Sequence, residues 1–366
     1  MLVIYVYYLT NESAFPRVAR MRTHSTQIEL EVTTSNPQAG GTNFRTKWFS
    51  IVMFQENINL ANYSSYKIGG PAKYFFKAKT INELTWAIQK AKEENLTIFI
   101  LGGGTNLLIA DAGFPGLVIQ PDLLEIKSEK STLTAEAGLS MSDVLAYSIN
   151  QSLSGLEWAG GLPGTLGGAI RGNAGAFGGE IKDTIKEVFS LNIKLNKPKI
   201  IKRTNAECRF SYRNSIFKER DGEEIILAAV LQLRAGDQNQ IRQAIEEKIQ
   251  YRKDKHPMEY PNVGSIFKNV PLAQVSPEAK KLLEQLDPKF PVKDDPFPVI
   301  PTAYLIAQAG LKGLSSGGAR VSEKHPNFII NFNHAKASDV KELIVLIKAK
   351  VKEKFNIQLE EEVIYL

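Results

Sequence analysis

The chain has 366 residues, 43% of them hydrophobic and 23% charged, with a net charge of +6 and one cysteine. That length allows two or three domains with a large core. The composition is ordinary for a globular protein, and no apolar run of about 18 residues exists to span a membrane. Lys and Arg are dispersed, with no basic cluster beside aromatics, so nucleic-acid binding is not expected and the bias suits an anionic small molecule.

Residues 1–52 are polar and lack sustained periodicity, which predicts an N-terminal extension that is disordered or non-catalytic. The opening MLVIYVYYLTNE has no basic residue ahead of it and no small-residue cleavage site, so no secretory signal is expected. The lone Cys208 excludes an internal disulfide and fits a reducing, cytoplasmic setting. From Met53 the pattern mixes α and β. AKYFFKAKT reads as a strand, INELTWAIQKAKEENL as a helix, and TIFILGGGTNLLIA as a strand running into a glycine turn. Short strands follow in GLVIQP, LLEIKS and TLTAEAG, and Ser140 offers an N-cap to a helix through SMSDVLAYSINQSL. Strands in EVFSLNIKL and EIILAAVLQLRAG lead to a helix in QIRQAIEEKIQYRKDK. The Pro-punctuated, lysine-rich stretch at about 271–300 predicts a surface insertion. TAYLIAQAG reads as a helix closed by Gly310, PNFIINF as a strand, ASDVKELIVLIKAKVKEKF as an amphipathic helix and LEEEVIYL as a final strand. The fold class is α+β, with boundaries at 1–52, 53–237 and 238–366.

Two glycine-rich stretches follow apolar segments: LGGGTNLL and the run from Gly160 to Glu180. A flexible linker would mix glycine with polar residues, whereas here the glycines alternate with Ala, Leu, Ile and Phe. Bare backbone lets amides approach phosphate oxygens, and Asn106 and Asn173 add side-chain donors and acceptors. Two such loops suit a dinucleotide's pyrophosphate. GGGTNLLIA runs into another apolar strand-like segment rather than opening a helix in the dinucleotide-binding pattern, and no P-loop motif is present. Tight strand packing is the alternative reading.

GGPAKYF, LGGGTNLL, GLPGTLGGAIRGNAGAFGGE, CRFSYRNSIFK, GSIFKN, AYLIAQAGLKG, VSEKHPNFIIN and LEEEV occur in the order found in the UDP-N-acetylenolpyruvoylglucosamine reductase family, which this chain resembles over residues 55–366. The resemblance implies an FAD-binding domain of the para-cresol methylhydroxylase type, built of two α+β subdomains, and a C-terminal α+β substrate domain. It also implies non-covalent FAD, NADPH as hydride donor, and reduction of UDP-N-acetylglucosamine enolpyruvate to UDP-N-acetylmuramate for bacterial peptidoglycan. No metal and no obligate protein partner are expected. One wall of the FAD cradle would be Gly102, Gly103, Gly104, Thr105, Asn106 and Leu107. The other would be Pro163, Gly164, Gly168, Asn173, Ala174 and Gly175.

The same resemblance assigns three catalytic residues. Arg213 would hold the substrate carboxylate and stabilise the enolate, Ser265 would protonate C2, and Glu362 would work beside Arg213. Strand alternation turns Glu361 to the other face. Tyr212, Lys255, Lys268, Asn269 and Gln308 match substrate-binding positions. The short spacing of Arg213 and Ser265 resembles the type II form, while FKNV replaces the usual FKNP and the insertion is longer than the family pattern. His325 and Cys208 read as packing residues. Two other readings stand beside this one: an FAD-dependent oxidase of the same fold, and a non-catalytic nucleotide-binding protein.

Overall fold

The computed structural model describes residues 16–24, 27–35, 44–195 and 197–366, with side chains from residue 53 onward. The chain forms two compact units, Met1–Gln55 and Glu56–Leu366. In the first, Pro16–His24, Gln27–Ser35 and Phe44–Val52 pair as an antiparallel meander, where the sequence predicts no periodic element. Ile28, Leu30 and Val32 do fall at every second position, a strand signal obscured by the polar residues around them.

The second unit opens with a four-stranded sheet ordered Gln55–Asn59, Pro71–Ala78, Phe114–Pro121, Ile98–Ile100. The last three strands run parallel. The helix Ile81–Glu93 joins two of them. The Thr80 side chain caps it by accepting from Glu83 N, and Leu84, Ala87, Ile88 and Ala91 form its buried face. The following five-stranded antiparallel sheet is ordered Lys199–Thr204, Ile185–Asn192, Glu224–Gln232, Thr132–Glu136, Ile126–Glu129. The helix Met141–Asn150, capped by Ser140, packs in the core of this layer. These are the two subdomains expected from the sequence. The fully buried Cys208 belongs to the second core, where burial pushes its thiol up to about 12 against the opposing pull of Arg203.

The helix Gln238–Lys255 packs Ile241 and Ile245 into that same core, although the sequence places it at the start of the C-terminal domain. The C-terminal layer has its own core, in which the helix Ala337–Phe355 buries Val340, Leu343, Ile347 and Val351. Tyr66 from the first subdomain joins this core, and its hydroxyl donates to Ile329 O at 2.8 Å. The insertion is more than a surface excursion. It contains a helix, Pro277–Leu286, capped by Ser276, whose Ala279 and Leu283 lie one turn apart and bury in the C-terminal core. The end of the chain then crosses back: Ile364–Tyr365 pairs in parallel with Leu107–Leu108. That crossing brings a C-terminal acidic run to the first glycine loop.

Candidate active site

The site is built around a tight turn. Ser211 N donates to Asn214 O at 3.1 Å and Asn214 N to Ser211 O at 3.0 Å, which puts Arg213 in the left-handed region at φ 55°. Its side chain is thereby aimed at the end of the chain. Arg213 Nε donates to Glu362 Oε1 at 2.9 Å, Nη2 donates to Gly175 O at 2.8 Å, and the guanidinium lies 5.1 Å from the Tyr212 ring centroid. Burial opposes the guanidinium's charge, but Glu362, Tyr212 and Glu180 together raise its pKa, so the group stays cationic.

Glu362 reaches this position by backbone pairing with the GSIFKN segment. Glu362 N donates to Ile266 O at 2.8 Å and Lys268 N to Glu360 O at 2.9 Å. Asn106 Nδ2 donates to Glu362 O at 2.9 Å, tying the glycine loop to the same C-terminal segment, of which only Ile364–Tyr365 forms the strand the sequence predicts across LEEEVIYL. Glu361 faces away, with Lys348 Nζ 2.6 Å from its Oε1 and the Tyr365 hydroxyl on Oε2. The alternation argument therefore separates Glu361 from Glu362 as expected.

Arg213 and Glu362 line a cleft of about 560 Å³ with Tyr212, Lys218, Lys268 and Glu360. Lys268 forms an ion pair with Glu360. The insertion reaches the rim: the Phe297 ring stands edge-on to Tyr212 at 5.2 Å, and Asp295 Oδ2 accepts from Gly178 N at 3.2 Å. Ser265 sits half-buried one residue before Ile266; it is not among the cleft-lining residues, and its hydroxyl makes no hydrogen bond among the described residues. Asn269 Oδ1 accepts from Thr302 N at 3.2 Å. Lys255 and Gln308 are exposed and do not line the cleft. Lys218 is among the cleft residues that sequence reasoning missed. Its only signal was its place five residues after Arg213 in YRNSIFK.

The two glycine loops lie back to back. A Cβ on Gly103 would fall 2.7 Å from Gly164 Cα, and one on Gly164 would fall 2.8 Å from Thr105 Oγ1. Gly104 has φ +61° and passes against the Tyr63 carbonyl, where a Cβ would be 2.0 Å away. Among the described residues no acceptor is found for the backbone N–H groups of Gly102, Gly103, Gly104, Thr105 and Asn106, nor for those of Gly164 and Thr165. Unpaired amides on bare backbone in two closely apposed loops fit a diphosphate, so these residues fit FAD. Leu107 continues the first loop as the strand residue facing Ile364, and Gly168 N bonds the Thr165 cap.

Asn173 contributes differently from the sequence expectation. It is fully buried at φ 42°, donates to Glu180 Oε1 and Ser211 O, and accepts from Lys182 N. Its amide is spent on the protein, as are Ala174 N, bonded to Ala169 O, and Gly175 O, bonded to Arg213. These three residues connect the glycine run to the Arg213 turn.

His325 packs as the sequence suggests, 5.2 Å from His256 and 4.8 Å from Phe328 between ring centroids, with its buried Nδ1 unpartnered. Burial first, then neighbouring charges, pushes His256 down to about 4; burial also pushes His325 down to about 4. Both rings are neutral in the folded protein at pH 7. The unfolded chain takes up these protons near pH 6.5, so stability is present above that value and is lost as pH falls from 6.5 toward 4. Thermal melts across this range are expected to show His325→Phe with a shallower loss than wild type.

The FAD binding domain family matches residues 72–195, and the family "UDP-N-acetylenolpyruvoylglucosamine reductase, C-terminal domain" matches residues 256–366. The UDP-N-acetylenolpyruvoylglucosamine reductase of Caldanaerobacter subterraneus subsp. tengcongensis is 40% identical over 308 residues, covering 84% of this chain and 91% of that protein. The same-named protein of Lachnoclostridium phytofermentans is 41% identical over 313 residues, covering 84% and 91%. Among solved structures, the UDP-N-acetylenolpyruvylglucosamine reductase of Thermus caldophilus superposes with a TM-score of 0.65 at 28% identity, covering 86% of this chain and 99% of that one.

Proposed function

This chain belongs to the UDP-N-acetylenolpyruvoylglucosamine reductase family, and we infer from that membership and its site that it reduces UDP-N-acetylglucosamine enolpyruvate to UDP-N-acetylmuramate with NADPH and bound FAD. The observation that carries the reading is the Arg213–Glu362 pair, tied through Asn106 to a loop of unpaired amides. FAD, when bound, would supply hydride transfer between NADPH and C3 of the enolpyruvyl group. The loops at 102–107 and 163–168 would hold its pyrophosphate.

Adding hydride at C3 places charge on C2 and its carboxylate. Arg213 meets that charge with a guanidinium already fixed by two hydrogen bonds, so little reorganisation accompanies it. Glu362 orients the guanidinium, and Lys268 and Tyr212 line the space for the rest of the substrate. Ser265 supplies the proton to C2, and its hydroxyl has no hydrogen-bond partner to surrender among the described residues. Lys255, Asn269 and Gln308 lie outside the cleft-lining set; a substrate role for them needs the long UDP arm to extend past it. The same reading places the enzyme in the cytoplasm, where NADPH and nucleotide sugars are made. Among the described residues no helix is long and apolar enough to cross a membrane.

The test is anaerobic. NADPH should bleach the flavin band, and UDP-N-acetylglucosamine enolpyruvate should restore it; bleaching without restoration would favour an oxidase of the same fold. Ser265→Ala should slow restoration about a hundredfold and leave bleaching intact. An unchanged restoration rate would remove Ser265 as the proton donor.

A further inference from the structure

We propose that Lys218 is a positioning residue for Arg213, clamping the Arg213 carbonyl so that the left-handed turn aims the guanidinium at Glu362. The inference rests on the reductase reading of the cleft. Residues with a side chain occupy the left-handed region at a cost and stay there only when their surroundings enforce it. The mutual Ser211–Asn214 hydrogen bonds set the turn but leave the Arg213 carbonyl without a backbone donor. Lys218 Nζ supplies one at 3.0 Å, the single hydrogen bond to that carbonyl among the described residues. The lysine comes from the short helix Ile216–Glu219, anchored by the buried Ile216 and Phe217, so its stem starts from a fixed point.

The charges around Lys218 argue against an incidental contact. It forms no ion pair among the described residues. Lys268 and Arg171 face it with like charge, and Glu362 and Glu360 with opposite charge. Burial first, then Lys268 and Arg171, lowers its pKa below the usual lysine value. An apolar side chain would fill the space without that repulsion, but it would leave the Arg213 carbonyl without its donor.

The experiment uses Lys218→Met and Lys218→Arg with FAD bound, reading both half-reactions in one anaerobic cuvette. Bleaching by NADPH should stay within about twofold of wild type in both variants, reporting an intact fold and cofactor site. In Lys218→Met the limiting rate of reoxidation by UDP-N-acetylglucosamine enolpyruvate should fall about tenfold, with half-saturation changed less than about threefold. Lys218→Arg, which keeps a cationic donor, should recover most of the rate. An unchanged limiting rate would overturn the inference. So would a normal limiting rate with raised half-saturation, which marks a plain anion contact, or equal slowing of both half-reactions. A wild-type protein that bleaches but is not reoxidised by this substrate would overturn the reductase reading itself, and the inference with it.

Discussion

Arg213→Ala is expected to slow reoxidation of the reduced flavin by UDP-N-acetylglucosamine enolpyruvate about a thousandfold, with bleaching by NADPH within a few-fold of wild type. The asymmetry follows from where charge develops. NADPH oxidation puts none at the cleft, whereas hydride addition to the enolpyruvyl group makes an enolate that needs a fixed cation. Arg213 has its Nε committed to Glu362 at 2.9 Å and its Nη2 to the Gly175 carbonyl at 2.8 Å, so the plane of the fork is set before substrate arrives. Arg213→Lys keeps the charge but loses the planar fork and cannot hold both partners. It should recover about a tenth of the lost rate at most. Stopped-flow absorbance at the flavin band separates the two half-reactions in one protein sample. Equal slowing of both would mean that the guanidinium supports the flavin pocket rather than the enolate.

The parts of this site that sequence made legible are those governed by local rules. Alternation along LEEEV separates Glu361, turned to Lys348 and Tyr365, from Glu362, turned to Arg213. The capping residues Thr80 and Ser140 mark real helix starts. The parts that were not legible depend on contacts far apart in the chain. Nothing local in KNVPLAQ announces that the insertion returns Phe297 to Tyr212, because that approach is fixed by burial of Ala279 and Leu283 against the C-terminal core. Lys218 reads as one more surface lysine until the turn at Arg213 brings the carbonyl to it. Asn173 looks like a ligand side chain in a glycine run, yet its amide joins Glu180, Ser211 and Lys182. A polar residue in a motif does not reveal whether its bonds point inward or toward a ligand.

Gly103→Ala is expected to weaken FAD binding about a thousandfold, while Gly172→Ala leaves it unchanged. The added Cβ at 103 would sit 2.7 Å from Gly164 Cα and 3.3 Å from Thr165 N. Both are backbone atoms, so no rotamer change relieves the contact and the two loops must separate. Separation moves the unpaired amides of the two loops apart, and each charge-assisted hydrogen bond to a phosphate is worth about 1.5–3 kcal/mol. Losing two gives roughly the stated factor at 1.4 kcal/mol per tenfold. Gly103 is a sharper probe than Gly104, where the φ of +61° and an added Cβ 2.0 Å from the Tyr63 carbonyl oxygen would disrupt the backbone whether or not flavin binds. Gly172 ends the helix Leu166–Gly172 with no atom within 4 Å of its Cβ position, and serves as the control for simply adding a methyl group. Flavin fluorescence titration of the apoproteins gives both affinities, and their melting temperatures test whether the fold survives. If Gly103→Ala bound FAD as tightly as wild type with an unchanged melt, the amides of residues 102–106 would not be the pyrophosphate's donors, and the close contact of the loops would serve packing alone.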